Sequence, residues 1–146
     1  MKRRQISRLM RSQRGSQLIE FILVMPLLWL LVLFAVDQFA LLYNRQKALA
    51  AAYEAGRIAC LQPNFGLASD HARQRGLAEL ADTIGVEDRE IRLIPEGRWR
   101  KGNHVEAVAI LTFRLPASGE EQRVVESYYM MIENAEGSGR AEEITD

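Results

Sequence analysis

The stretch that decides the fold is Arg14-Gly15-Ser16-Gln17-Leu18-Ile19-Glu20-Phe21. A glycine closes a basic leader, a carboxylate follows five residues later, and a long apolar run begins at once. Upstream, Lys2, Arg3, Arg4, Arg8, Arg11 and Arg14 are accompanied by no acid. Downstream, no charge appears between Phe21 and Val36. Counted from Leu18, the run covers about 19 residues, roughly 28 Å as a helix, which matches the roughly 30 Å hydrocarbon core of a bilayer. A carboxylate at the head of such a run is costly and requires a reason.

The formal net charge of zero conceals an asymmetry. Setting aside the six leader cations leaves 13 basic residues against 19 acidic ones. A basic flank beside a membrane-length run stays cytoplasmic, so the chain beyond the run is expected on the far side. The run is longer than the apolar stretch of a secretory signal. The small-x-small triplet Ala48-Leu49-Ala50 also lies too far beyond Val36 for ordinary release. A permanent span, or one cut on its cytoplasmic side, is therefore expected.

Nothing breaks the helical pattern between Val36 and Cys60. Residues 37–59 are rich in strong helix formers, and the expected helix covers residues 17–60. Ala35, Phe39, Leu42, Gln46, Leu49, Tyr53, Gly56 and Cys60 recur at alternating spacings of four and three, one stripe along the helix. Phe39, Leu42, Leu49, Tyr53 and Gly56 mark its packing face. Ala48, Ala52, Ala55 and Ala59 form a second, small-residue face suited to close helix approach. The helix either lies on its own domain or packs against other subunits, and the two readings are compatible. Pro26 removes one hydrogen-bond donor and is expected to kink the helix or loosen a turn. Pro63 ends it.

Beyond it, Ser69 or Asp70 is the expected N-cap of a second helix ending near Ile84 and Gly85. Strand-like runs follow at 90–94, 105–115 and 123–132, separated by loops containing Gly and Pro. The reading is α+β: a three-stranded antiparallel meander with one helix on its apolar face. The segments are a basic leader (1–15), a long helix crossing the membrane and then exported (16–60), a small exported domain (61–133) and an acidic tail without expected structure (134–146).

Chemistry is sparse. The chain has 1 cysteine, Cys60, and 2 histidines, His71 and His104. No intramolecular disulfide is possible, and no zinc spacing is present. Glu120-Glu121 and Glu142-Glu143 lie in loop and tail sequence, where a positioned acid/base pair is not expected. There is no phosphate-binding glycine loop. Arg98-Trp99-Arg100-Lys101 reads as a solvated hairpin tip, with lipid headgroups or an acidic partner as the alternative. No catalytic, metal or cofactor site is expected, no enzyme activity and no nucleic-acid partner.

Gly15, Ser16 and Glu20 resemble, position by position, the prepilin peptidase site of type IV pilin-like proteins. Further along, Glu20-Phe21, Leu23-Val24-Met25-Pro26-Leu27-Leu28 and Ala52-Tyr53-Glu54-Ala55-Gly56-Arg57 resemble TadE-like pseudopilins of tight adherence (Tad/Flp) pilus systems. The resemblance covers residues 14–60. It implies a type IV pilin-like fold and a minor pilin cut between Gly15 and Ser16, with Glu20 as the assembly carboxylate. It implies residence in the bacterial inner membrane with a periplasmic domain, and incorporation into a pilus used for cell adhesion. The implied partners are a prepilin peptidase, other pilins or pseudopilins, the pilus assembly platform and the lipid bilayer. An uncleaved single-span anchor displaying a periplasmic binding module is the rival expectation.

Overall fold

In the computed structural model, the backbone is described for residues 3–136 and side chains for residues 18–136. Helix α1 runs continuously over Arg3–Ala59, 57 residues, about 86 Å long at 1.5 Å per residue. It stays helical through Pro26. Arg57 in its last turn complements the carbonyl end of the helix dipole. Pro63 follows the closing turn, in which the Gln62 amide donates to the Ala59 carbonyl.

Helix α2 spans Phe65–Glu79 and is capped by Asn64, whose side chain accepts from the Leu67 amide at 3.0 Å. The cap is thus Asn64, not Ser69 or Asp70, and the helix starts earlier than its sequence signals implied. It also ends earlier: Leu80–Asp82 form one 3₁₀ turn, and Thr83 is already extended. Gly85 then adopts φ 65°, and a Cβ there would lie 2.3 Å from the Arg114 carbonyl oxygen. Only glycine fits that approach.

Strands β1 (Val86–Pro95), β2 (His104–Arg114) and β3 (Glu121–Met131) form an antiparallel meander in the order β1-β2-β3. The expected topology holds, and β1 extends further back than residue 90. Residues 87–90 are all charged and lack apolar alternation. They are drawn into the sheet by pairing with Ile110–Phe113, with a bulge between Val86 and Asp88. On β2, Val105, Ala107, Ala109, Leu111 and Phe113 are all fully buried on one face, as the alternation predicts.

That face is covered by both helices, not by α2 alone. The Ala48, Ala52, Ala55 and Ala59 ridge of α1 is fully buried, and on α2 so are Ala68 and Ala72. At Gly76 a Cβ would sit 2.7 Å from Ile91 Cγ1 and 3.4 Å from Ala55 Cβ. Small side chains on both helices let α1, α2 and β1 close around one core. Trp99 also turns inward: its indole Nε1 donates to the Gln62 carbonyl at 3.1 Å, and its ring lies 5.7 Å from that of Phe65. The hairpin expected to be wholly solvated is therefore latched to the α1–α2 connection, with Arg98, Arg100 and Lys101 left exposed.

Residues expected to begin an unstructured tail are folded instead. Ala135 is buried, the Asn134 amide donates to the Cys60 carbonyl, and the Glu136 amide to that of Pro63. The rest of that tail, residues 137–146, lies outside the described residues, as do Met1 and Lys2 of the leader.

Candidate functional site

The first half of α1 stands clear of the domain. From Leu18 to Val36 every side chain except that of Leu33 is exposed, and the helix is long and apolar enough to cross a membrane. So large a contiguous apolar surface requires lipid or other helices around it. Glu20 lies exposed near the start of this segment, four residues after Ser16, about one helical turn. The surroundings of Gly15 and the side chain of Ser16 lie outside the described residues.

At Asp37 the helix meets the domain. Asp37 is buried, and its two carboxylate oxygens accept from the Ala117 amide at 2.8 Å and the Ser118 amide at 3.0 Å. It thereby holds the β2–β3 hairpin loop against the end of the apolar run. Two turns later Asn44, also buried, pairs with a single peptide unit. Its Nδ2 donates to the Ile84 carbonyl at 2.8 Å, and its Oδ1 accepts from the Ile84 amide at 2.9 Å. Lys47 adds an ion pair to Glu79 at 3.2 Å. These residues fix the rotation and height of α1 relative to the domain. None was singled out in the sequence, because each looks like an ordinary polar residue on an exported helix.

The expected packing stripe is divided by the structure. Phe39, Leu42, Leu49 and Tyr53 are exposed at 64%, 58%, 44% and 41%, values that leave most of this face uncovered. Gly56 instead faces the sheet, where a Cβ would lie 3.4 Å from both Ala107 Cβ and Met130 Sδ. Tyr53 meets Tyr128 of β3 edge-on at 5.2 Å between ring centroids. Phe39 and Tyr43 stack at 6.1 Å, one turn apart. The α1 helix thus has one face filled by its own domain and one face open.

Elsewhere the polar groups form surface pairs. Glu54 lies 2.9 Å from Arg57 and 3.5 Å from Arg75. Hydrogen bonding from Arg92 holds the Glu90 carboxyl below its ordinary value. His71 lines a shallow cavity of about 420 Å³ with Ile58, Gln74, Arg75 and Ala78, and His104 lies 3.8 Å from Glu96. Burial, then the Glu133 charge, pushes the Cys60 thiol up from its ordinary value, so it is a poor nucleophile. Among the described residues no group of three His, Cys, Asp or Glu side chains could hold a metal ion.

Residues 15–57 match the family model described as TadE-like protein. The match begins at Gly15 and ends at Arg57, covering the exposed apolar segment and the domain-facing half of α1. No curated protein and no solved structure matches the chain.

Proposed function

We propose that this chain, TadE-like over residues 15–57, is a minor pilin cut by a prepilin peptidase between Gly15 and Ser16 and needed to build or prime a Tad/Flp adhesive pilus. Its basic leader faces the cytoplasm, Leu18–Val36 spans the inner membrane, and the α+β domain stands in the periplasm. The positive-inside bias of the six leader cations supports that orientation. Cleavage removes all six and leaves a new amine about one turn from Glu20. The amine of one subunit and Glu20 of its neighbour then each offset the other's desolvation cost. A helix freed of its cytoplasmic anchor can leave the bilayer for a protein assembly.

The observation that carries this reading is the two-faced character of α1. Its small-residue face is fully occupied by α2 and the sheet, and the Phe39, Leu42 and Leu49 face, edged by the Tyr53–Tyr128 contact, continues the membrane-facing surface outward largely uncovered. The partners on that face are other pilins or pseudopilins of the same system, delivered by the assembly platform. The chain carries out no chemistry itself; the peptidase and the motor are separate proteins.

The test is co-purification of the cognate pilins with the full-length chain and its Leu49→Asp variant. Loss of partners with normal leader processing supports the reading. Undiminished co-purification of Leu49→Asp removes that face from assembly.

A further inference from the structure

The tip of the β1–β2 hairpin, residues 97–103, holds Arg98, Arg100 and Lys101 and no acid. All three cations are exposed, and none forms an ion pair among the described residues. Glu96, at the foot of the hairpin, is turned to His104 at 3.8 Å. Among the cations, Trp99 packs on Phe65, whose side of the pair remains 39% exposed. The tip therefore presents a half-open aromatic pair flanked by positive charge that no described acid meets.

The chain beyond Glu136 starts at this surface. Trp99 Nε1 donates to the Gln62 carbonyl, and the Glu136 amide donates to the carbonyl of the next residue, Pro63, at 2.8 Å. Ala135 and Trp99 pack in one apolar cluster with Cys60, Val105 and Ile132. Residues 137–146 carry Glu142, Glu143 and Asp146 against Arg140, so the segment is net acidic, and Ile144 stands among its acids. An apolar residue flanked by acids thus faces an aromatic pair flanked by cations. Glu142 follows Glu136 by six residues, a reach of up to about 20 Å. A tether this short gives an effective concentration on the order of millimolar beside the tip. Lipid headgroups, another source of negative charge, are out of reach. With Leu18–Val36 in the bilayer, the end of α1 at Ala59 stands about 35 Å further along the helix axis, and the tip is joined to that end.

We propose that residues 137–146 dock on this tip, with Glu142, Glu143 and Asp146 paired to Arg98, Arg100 and Lys101 and Ile144 against the open edge of Phe65. Guanidinium groups match carboxylates in geometry as well as charge. Each exposed pair is weak and screened by salt, so the docking depends on the tether and on several pairs acting together. The docked segment closes the far end of the domain to other acidic surfaces until one of greater charge displaces it. The inference is independent of leader cleavage and of assembly.

The test is zero-length carbodiimide cross-linking of the purified full-length chain in detergent, as a mixture of isotope-labelled and unlabelled protein read by peptide mass spectrometry. At low ionic strength Lys101 should join to Glu142, Glu143 or Asp146 within single chains. The yield should fall on the order of tenfold at about 1 M salt, where the screening length is about 3 Å. Arg98→Gln/Arg100→Gln, which keeps Lys101, should lower the yield at least about threefold, as loss of two exposed pairs requires. Arg114→Gln, at the opposite end of the sheet, should match the wild type. Unchanged urea unfolding shows that the tip variant is folded. Absence of the cross-link at low ionic strength overturns the proposal. A yield that survives both salt and the tip variant reports the tether alone and also overturns it. Cross-links joining labelled to unlabelled chains make a neighbour's segment the occupant and overturn it as well. Failure of the pilin reading would appear separately, as an unprocessed leader in cells.

Discussion

Asn44→Ala tests how the long helix is joined to the domain. The Asn44 side chain is fully buried and makes both hydrogen bonds to Ile84. Its removal strips one amide and one carbonyl of their partners. Each buried polar group left unpaired costs about 1–3 kcal/mol. Ile84 is half-buried, so water recovers part of this and the lower half of that range applies. Alanine returns roughly 0.5 kcal/mol through helix propensity. The net loss for the two groups is then about 1.5–3.5 kcal/mol. Stability for a domain of this size is on the order of 4–12 kcal/mol. The assay is urea unfolding of the detergent-solubilised full-length chain, followed by Trp99 fluorescence in a Trp29→Phe background. With a slope near the small-domain end of about 1 kcal/mol per molar, the midpoint should fall by roughly 2 M. Gln46→Ala, on the exposed face two residues away, should stay within about 0.5 kcal/mol of wild type. An Asn44→Ala midpoint equal to that of Gln46→Ala would refute the claim that this pair holds α1 to the domain.

Gly76→Val should destabilise by about 1–3 kcal/mol through overpacking against Ile91. Adding Ile91→Ala should recover part of the loss, and additive melting shifts in the double variant would show that the two sites do not touch. Asp37→Ala should speed hydrogen exchange at the Ala117 and Ser118 amides by on the order of tenfold or more, since each loses a carboxylate acceptor; unchanged protection there would contradict the buried cap. Cys60 should react with a maleimide on the order of 100-fold more slowly in the native chain than in urea, because burial disfavours its thiolate. Its folded-state pKa is raised, so the stability it contributes is complete below the ordinary thiol range and declines as pH rises through the raised value. Equal labelling rates in the two states would place Cys60 at the surface.

The long helix and the meander were legible because their signals are local and repeated: an uncharged run, a small-residue ridge and the alternation from Val105 to Phe113. The ridge of Ala48, Ala52, Ala55 and Ala59 announced close packing without naming its partner, which proved to be α2 and the sheet. Asp37 and Asn44 were illegible because their partners lie 80 and 40 residues away in sequence. The start of β1 was hidden because residues 87–90 are charged, and pairing with β2 outweighs their weak strand propensity. Asn64 was missed as a cap beside the equally suitable Ser69 and Asp70; Pro63 immediately before it was the available signal. Gly56 carried helical spacing like its neighbours, and only the approach of β2 and β3 assigns it to the inner face. Trp99 lay inside a basic quartet whose charges suit solvent, and its ring found the α1–α2 connection instead.

The most direct test of the proposed role is the intact mass of the chain recovered from membranes of a host with and without the cognate prepilin peptidase. A minor pilin should lose residues 1–15 in the presence of the peptidase alone, leaving a chain that starts at Ser16. A full-length chain in both hosts, alongside a control pilin that is cut, would contradict the pilin pathway. It would leave Glu20 as a carboxylate at the membrane interface and the chain as an uncleaved anchor for its α+β domain.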